Sequence, residues 1–283
     1  MFLPRLISTV LFVTLITVLV TFRWSTPTFA LISIISLFAL WEFYRLQESK
    51  GLRVFKKAGA FGALLYLLSD YFKWVKPGVF GTLENVEAFT FLLIILGVMG
   101  RMVFERERET PVATIALTVF GFFYIPYLFS YVSKIIFISM DGTMSGVILA
   151  AYLIAVTKCT DIGAYLVGVR VGRHQMSPDI SPKKTWEGFA AGMLSGLMCS
   201  FLMVWLLPGS LGVLSWIHAL VLGLMIPLVS VLGDLAESVV KRDANIKDSG
   251  GFIPGIGGSL DLIDSLLYTA PLFYFYLVFA VGL

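Results

Sequence analysis

Residues 215–239 read SWIHALVLGLMIPLVSVLGDLAESV, and no charged side chain occurs in this segment before Asp234. An α-helix needs about 20 mainly apolar residues to cross the hydrocarbon core of a bilayer. At a rise of 1.5 Å per residue, Asp234 would lie about 29 Å along the helix from residue 215. The segment therefore predicts a transmembrane helix that carries an acidic residue close to one membrane face.

The rest of the sequence shares this apolar character. Of its 283 residues, 58% are hydrophobic and 14% are charged, and the mean hydropathy is +0.90. Soluble domains contain about 25% charged residues, so this composition excludes an ordinary soluble enzyme. We predict an all-α polytopic membrane protein in which residues 1–283 form a single membrane domain, and we expect no nucleic-acid partner.

Nine apolar segments are long enough to be transmembrane helices. The third is the weakest prediction because it is short and contains Asp70, and the fifth contains Pro126, which favours a kinked or tilted helix. Residues 1–142 show little catalytic signal, whereas residues 143–283 contain the polar stretches expected of catalytic helices and cytoplasmic loops. The predicted spans are 7–22, 27–45, 58–75, 87–104, 112–137, 143–167, 187–207, 215–239 and 262–283.

Lys and Arg fall mainly on one side of these predicted spans. If the N-terminus is cytoplasmic, sixteen basic residues lie in inside segments and four in outside segments. Loops rich in Lys and Arg stay in the cytoplasm, so we predict a cytoplasmic N-terminus and, after nine spans, an external C-terminus. We expect a multi-pass protein of the inner (plasma) membrane whose active site faces the cytoplasm.

Acidic residues in the second half lie at a common predicted depth. The sixth helix reaches Asp161 about 26 Å after it enters from outside, and the eighth reaches Asp234 after about 29 Å. The ninth helix starts from the cytoplasm at Asp261, and the i+3 and i+4 spacing puts Asp264 and Ser265 on the same face. Three helices should therefore bring carboxylates together near the cytoplasmic face.

Two structural explanations compete with a metal site at these carboxylates. Asp261 and Asp264 could be caps at a helix start, where the helix dipole favours carboxylates, and Glu237 could pair with Lys241. Neither explains Asp234, which lies one turn deeper without a cation at i+4. Unpaired carboxylates at that depth should protonate or bind a cation. We predict Mg²⁺, which is normally held by one or two carboxylates plus substrate phosphates.

Basic and glycine-rich segments lie beside the carboxylates. Gly257 and Gly258 precede the ninth helix, and backbone amides in such a loop can approach phosphate closely. The lysines could instead be positive-inside charge or lipid contacts, which explains the basic stretch 45–57 better than the compact run SPKKTWEG at 181–188. Carboxylates for metal and cations for phosphate favour phosphoryl or nucleotidyl transfer. The basic residues are Lys183, Lys184, Lys241, Arg242 and Lys247.

These segments resemble the signature of the phosphatidate cytidylyltransferases, also called CDP-diacylglycerol synthases. That signature reads S-x-x-K-R-x4-K-D, a short spacer, then P-G-H-G-G-x-x-D-R-x-D. Upstream, TDIGAYLVGVRVGRH at 160–174 resembles the family's SDTGAY stretch, and SPKKTWEG matches its SPKKTWEG run. The resemblance covers about residues 150–270. The matching signature residues are Ser238, Lys241, Arg242, Lys247, Asp248, Pro254, Gly255, Gly257, Gly258, Asp261 and Asp264.

The resemblance implies that CTP and phosphatidic acid in the bilayer react to give CDP-diacylglycerol and pyrophosphate. The phosphate monoester is already an anionic nucleophile, so catalysis would rest on positioning and charge neutralisation. We leave homo-oligomerisation and a second cation open. The implied catalytic residues are Asp234, Asp261, Asp264, Lys247 and Asp248. The implied Mg²⁺ ligands are Asp234, Asp261, Asp264 and Asp161. The implied substrate-binding residues are Ser181, Lys183, Lys184, Thr185, Ser238, Lys241, Arg242, Gly257 and Gly258.

Two positions depart from the signature. Ile256 stands where the family has His, which removes a candidate base or phosphate contact. Leu262 stands where the family has Arg, which removes a candidate phosphate clamp. Either neither the His nor the Arg is indispensable, or this copy of the enzyme is impaired. Because the carboxylates and lysines are intact, we favour the first explanation.

Three other functions are open to this sequence. A CTP-dependent lipid (polyprenol) kinase would release CDP rather than pyrophosphate. A CDP-alcohol phosphotransferase would need a closely packed D-G-x-x-A-R pattern, which the sequence lacks. An ion-coupled transporter could place Lys158, Asp161 and Asp234 along an ion path, but its usual internal repeats are not evident.

Overall fold

The computed structural model describes residues 25–76, 85–106, 109–138, 145–244 and 258–283. Over these residues the protein is helical except for one short β-hairpin. The helices are α1 (Ser25–Ser49), α2 (Lys56–Trp74), α3 (Val86–Val103), α4 (Pro111–Phe122), α5 (Leu128–Phe137), α6 (Ser145–Val171), α7 (Trp186–Leu206), α8 (Trp216–Asp243) and α9 (Ser259–Tyr276). The strands are β1 (Gln175–Ser177) and β2 (Ser181–Thr185).

A π-helical turn, Phe123–Tyr127, joins α4 to α5 and contains Pro126. Proline has no N–H to donate to the preceding turn, and its ring clashes with the carbonyl there. The wider π-helical turn is a common local adjustment to such a disruption. The predicted fifth span is thus one helical run, Pro111–Phe137, that changes its winding at the proline. A second π-helical turn, Leu277–Val281, follows α9.

Within the described ranges, seven helical segments are long and apolar enough to cross a membrane, whereas the whole sequence predicts nine. The predicted first span, 7–22, lies outside the described residues. The predicted third span forms α2, which is not among the seven because it carries Lys56, Lys57, Asp70 and Lys73. The protein is therefore a multi-pass membrane protein, and its orientation stays a prediction. The seven segments are Ser25–Ser49, Val86–Val103, Pro111–Phe137, Gly146–Val171, Trp186–Leu206, Trp216–Asp243 and Ser259–Val281.

The all-α prediction is confirmed over the described residues except for one short hairpin between α6 and α7. β1 and β2 pair antiparallel, with Gln175 opposite Thr185 and Ser177 opposite Ser181. Neither strand has the alternating apolar pattern that identifies a strand in sequence. Pro182 is tolerated in β2 because a strand at a sheet edge does not need every N–H for pairing.

The chain forms two compact units, Met1–Ser133 with Ala244–Ile263, and Lys134–Asp243 with Asp264–Leu283. In the first unit, the core of the described helices is aromatic. The hydroxyl of Tyr44 donates to the carbonyl of Thr118 at 2.7 Å, and the hydroxyls of Tyr66 and Ser130 lie 2.8 Å apart. These bonds satisfy polar atoms that burial would otherwise leave unpaired. The single membrane domain stays a prediction.

In the second unit, α6 and α7 pack at unusually short range. A Cβ atom on Gly192 would lie 3.0 Å from the carbonyl oxygen of Thr160, and one on Gly188 would lie 2.8 Å from that of Ala164. Small residues four apart on one face allow two membrane helices to approach in this way. The packing places the polar end of α6 directly beside the start of α7.

Three helices of the second unit are joined by one buried hydroxyl chain. The hydroxyl of Ser200 donates to the carbonyl of Ala219 at 2.6 Å. Tyr152 must then donate to Ser200, which lies 2.6 Å away, because a serine hydroxyl carries one proton. This chain ties α6, α7 and α8 together below the candidate site.

Candidate active site

The hairpin presents the SPKK residues on β2. Its last residue, Thr185, caps α7, since Oγ1 accepts a hydrogen bond from the N–H of Gly188 at 3.2 Å. The first N–H groups of a helix need such an acceptor, so Thr185 has a structural role besides its predicted substrate contact. Lys183 is exposed, while Ser181 and Lys184 are half-buried.

Glu187 fastens the hairpin to the start of α7. Its Oε1 lies 2.6 Å from Nδ1 of His174, and Oε2 accepts from the N–H groups of Arg173 at 3.2 Å and His174 at 3.3 Å. The N–H of Trp186 also donates to the carbonyl of His174 at 2.9 Å. These contacts join the residues just before β1 to the start of α7, next to the end of β2.

Asp161 lies on α6 and already has two partners. Its Oδ1 accepts from the hydroxyl of Ser230 on α8 at 3.3 Å. Its Oδ2 lies 3.4 Å from Nζ of Lys158, three residues earlier on the same helix face. Asp161 is thus an ion-paired carboxylate, and its role as a metal ligand stays a prediction.

Ser265 connects the two remaining carboxylates of the second unit. Its hydroxyl donates to Oδ1 of Asp234 at 2.5 Å and lies 3.2 Å from Oδ1 of Asp264. Its N–H donates to the same Asp264 oxygen at 2.6 Å. The two helices can approach because α8 has Gly233 at this point, where a Cβ atom would lie 3.0 Å from the carbonyl oxygen of Asp264.

Lys184 brings a positive charge from β2 to these carboxylates. Its Nζ lies 3.4 Å from Oδ2 of Asp234. The side chain is 25% exposed, but Nζ itself is buried and has no hydrogen-bond partner among the residues that the structure describes. An ammonium group carries three donors, so Lys184 is an incompletely satisfied cation beside an acidic cluster.

The C-terminal end of α8 carries further predicted residues. Glu237 and Lys241 form the predicted ion pair at 2.8 Å, and Glu237 is almost fully buried. Arg242 is exposed and its Nε donates to the carbonyl of Ile180 in the hairpin at 3.1 Å. Ser238 is half-buried on the same helix. Lys241 and Arg242 thus have protein partners as well as the substrate contacts predicted for them.

Asp261 belongs to the first unit. There it caps the start of α9, which is the structural alternative to a metal-binding role. Its Oδ2 accepts a hydrogen bond from the N–H of Gly258 at 3.2 Å, the reach of a third helical residue back to the residue before the helix. Its part in catalysis stays a prediction. The predicted residues Lys247, Asp248 and Gly257 lie outside the described residues.

The charges of the second-unit cluster act on one another. Asp234 interacts electrostatically with Asp161 and Asp264, and Lys158 interacts with all three carboxylates. Counted as ionised, three carboxylates face the two ammonium groups of Lys158 and Lys184, which leaves a net charge of −1.

The donor set of the cluster suits Mg²⁺ in kind, because this ion prefers oxygen ligands and usually takes only one or two carboxylates from the protein. Among the described residues, no three acidic, His or Cys side chains surround a single point as metal ligands. Magnesium therefore stays a prediction, and Asp234 and Asp264 are the residues that would hold it.

Sequence reasoning missed the hydroxyl groups that orient the carboxylates. Ser230 lies 69 residues from Asp161 in sequence, and no spacing rule could have paired them. The i+3 spacing of Lys158 and Asp161 was a usable signal, since such residues share a helix face. Ser265 was placed on the correct face, but its central position between Asp234 and Asp264 depends on the approach of two helices.

Comparison with known proteins identifies the family. Residues 3–280 match the cytidylyltransferase family. The chain is 34% identical to the phosphatidate cytidylyltransferase of Synechocystis sp., over 88% of this chain and 87% of that protein. It is 32% identical to the phosphatidate cytidylyltransferase of Bacillus subtilis, over 84% of each chain. It is also 34% identical to the uncharacterized protein YnbB of Escherichia coli, over 90% of this chain and 80% of that protein. The chain therefore belongs to the cytidylyltransferase family.

Proposed function

We propose that this protein is a phosphatidate cytidylyltransferase, which transfers the cytidylyl group of CTP to phosphatidate and releases pyrophosphate. Two relatives at 34% and 32% identity carry that name, and this supports the choice of substrate. The observation that carries the proposal is the buried Nζ of Lys184, 3.4 Å from Asp234 and without a hydrogen-bond partner among the described residues. A phosphate group is a natural acceptor for such donors.

Catalysis of this reaction depends on charge neutralisation more than on proton transfer. An anionic oxygen of phosphatidate attacks the α-phosphorus of CTP and forms the new P–O bond. The bond from that phosphorus to the bridging oxygen breaks, and pyrophosphate leaves with the electron pair. Because no proton has to move in this exchange, the absence of a His at position 256 does not remove a required base.

Lys184 would hold the negative oxygens of the triphosphate. It is well suited to this role because the hairpin is fixed to α7 by Glu187 and α7 is capped by Thr185. A cation that is already in place stabilises the charge of the transition state without reorganisation. Lys183, the preceding residue of β2, is exposed and would bind the nucleotide from the solvent side.

Asp234 and Asp264 would hold Mg²⁺, which when bound neutralises phosphate charge and orients the nucleotide. Ser265 fixes the direction of both carboxylates by hydrogen bonds to each. The carboxylates lie on Trp216–Asp243 and Ser259–Val281, which are apolar enough to span a membrane. We propose that the acyl chains of phosphatidate stay in the bilayer while its phosphate group approaches these carboxylates.

Product analysis with two labels tests this proposal. Purified protein in lipid nanodiscs receives phosphatidate, Mg²⁺ and CTP labelled at either the α- or the γ-phosphorus. We expect the α-label in the lipid and the γ-label in pyrophosphate. A γ-label in the lipid with release of CDP would mean a lipid kinase and would overturn the proposal. No lipid labelling from either nucleotide would overturn it as well.

A further inference from the structure

Glu42 lies on α1, in the half of the chain where the sequence shows little catalytic signal. Its side chain is only 8% exposed. A carboxylate is rarely buried to this extent unless other groups compensate for its lost hydration. The partners of Glu42 therefore indicate why the chain keeps a carboxylate at this position.

One oxygen of Glu42 binds the start of a distant helix. Oε2 accepts a hydrogen bond from the N–H of Leu260 at 2.9 Å, across 218 residues of sequence. Leu260 is the second residue of α9, and the first N–H groups of a helix have no partner within it. The neighbouring N–H of Gly258 is taken by Asp261 at 3.2 Å. Two carboxylates thus satisfy two of the free amides at this helix start.

The sequence explains why the cap comes from outside the helix. The residue before α9 is Gly258, which has no side chain with which to cap the helix, whereas Ser, Thr, Asp or Asn at this position would do so. Asp261 reaches back to the N–H of Gly258. Glu42 supplies the acceptor that the local sequence lacks, and its negative charge is favourable at the positive end of the helix dipole.

Two buried polar groups near this contact have no hydrogen-bond partner among the described residues. Oε1 of Glu42 is buried without a hydrogen-bond partner among the described residues, and the same holds for the hydroxyl of Ser259, which is 2% exposed. Membrane helices keep such groups rarely and mainly for function. A residue whose only task was to stabilise packing would be better replaced by an apolar side chain of similar size.

We propose that Glu42 is a positioning residue that fixes the first turn of α9 and thereby the direction of Asp261. The inference rests on the proposed function, and it takes Asp261 to have the catalytic role that the family resemblance implies. Without the bond from Glu42, the N–H of Leu260 would lose its acceptor and the first turn would open more often. Asp261 lies in that turn, so its carboxylate would lose its fixed orientation.

Hydrogen exchange tests the contact without any assay of activity. Mass spectrometry of nanodisc-embedded protein follows the amides of residues 259–263 in Glu42→Ala, Glu42→Gln and Glu42→Asp. A hydrogen bond to a charged group corresponds to a factor of about 10 to 150, so Glu42→Ala should speed exchange at Leu260 by about tenfold or more. Glu42→Gln keeps an oxygen acceptor and should change it less than about threefold. Glu42→Asp keeps the charge but is one methylene shorter, and should behave like the Ala variant.

A matched control is Glu48→Gln, on the same helix but 43% exposed and paired with Lys56. Its amide exchange at residues 259–263 and its kcat should equal those of the unmutated protein. In the Ala and Asp variants, kcat for CDP-diacylglycerol should fall about tenfold or more while KM for phosphatidate changes less than about threefold. The Gln variant should recover most of kcat, which a purely structural loss of packing would not produce.

The outcomes separate the two proposals. Exchange in Glu42→Ala equal to that in Glu48→Gln would overturn the positioning role, and so would a Gln variant as impaired as the Ala variant. If Glu42→Ala does not insert, Glu42→Asp decides the question by the same criteria. A third outcome is possible: exchange is faster in Glu42→Ala, but the unmutated protein makes no CDP-diacylglycerol. This result would retain the positioning role and overturn the proposed function.

Discussion

Two basic clusters of this protein differ in how their charges are used. In the first unit, Arg53 pairs with Glu105 at 3.0 Å, Lys56 pairs with Glu48, and Lys56 also lies over the Trp41 ring, 5.2 Å from its centroid. In the second unit, the Nζ atom of Lys184 is buried, lies 3.4 Å from Asp234 and has no hydrogen-bond partner among the described residues. We call these the paired cluster and the unsatisfied cluster.

All three cations have a carboxylate nearby, but only Lys184 has a buried ammonium group without a hydrogen-bond partner among the described residues. Exposed ion pairs contribute little to stability and are screened by salt, and their hydrogen-bonding groups are largely occupied by one another. A buried ammonium group with free donors is costly unless something else binds it. By this argument we propose the unsatisfied cluster as the active site and interpret the paired cluster as surface charge.

The largest expected effect comes from the centre of the unsatisfied cluster. Asp234→Asn keeps the size of the side chain but removes its charge, so it should weaken both the ion pair with Lys184 and the predicted hold on Mg²⁺. We expect a loss of CDP-diacylglycerol synthesis of at least about 100-fold, the scale of removing one electrostatic contact to a transition state. Steady-state kinetics of the purified protein measures it. Asp179→Asn, an exposed change in the hairpin turn, is the matched control and should retain full activity.

Lys184→Ala should have the next largest effect. A lost charge-assisted contact is worth about 1.5–3 kcal/mol, which is roughly a 10- to 150-fold loss in kcat/KM. The apparent KM for CTP should rise more than the KM for phosphatidate, because Lys184 is proposed to hold the triphosphate. Equal changes in both KM values would contradict that assignment, and unchanged kcat/KM would remove Lys184 from the site.

Ser265→Ala should reduce turnover by about tenfold. The variant removes the hydroxyl that bonds to Asp234 but leaves every charge in place, and a hydrogen bond to a charged group lies at the lower end of the same energy range. Ser49→Ala is a suitable control, since that exposed hydroxyl bonds only to the carbonyl of Leu46 on its own helix. A Ser265 variant as active as the Ser49 variant would show that the orientation of Asp234 does not limit the reaction.

The paired cluster should give the smallest effect. Arg53→Ala and Lys56→Ala each break an ion pair with one exposed partner, so we expect kcat/KM to change less than about threefold. The same kinetic assay, run at two salt concentrations, measures both variants. Losses as large as that of Lys184→Ala would erase the distinction between the two clusters.

Part of this account follows from sequence because it depends on local composition. Seven of the nine predicted spans correspond to helices that are apolar enough to cross a membrane, since span prediction needs only length and apolarity. α2 fails because its charges reduce its apolarity without preventing a helix. The hairpin could not be predicted, because the pairing of β1 with β2 leaves no alternating pattern in so short a segment.

The sequence predicts candidate residues for the site but not their partners. Spacing singles out Asp234, Asp264 and Lys184, whereas the bonds that orient them depend on how separate helices meet. Asp261 shows the limit most clearly. Its position at a helix start fits both a cap and a metal ligand, and only the direction of the Gly258 N–H reveals the capping bond.

A double-mutant cycle on Lys184 and Asp234 tests the central claim most directly, because it asks whether these two residues act as one catalytic unit. Incorporation of α-labelled CTP into lipid is measured for Lys184→Ala, Asp234→Asn and the double variant. Residues that act together are strongly non-additive. We predict that the double variant is less than about threefold slower than Asp234→Asn alone. In the control cycle, Arg53→Ala combined with Asp234→Asn should lower the rate by the product of the two single effects. Losses of Lys184→Ala and Asp234→Asn that multiply in full would contradict the account.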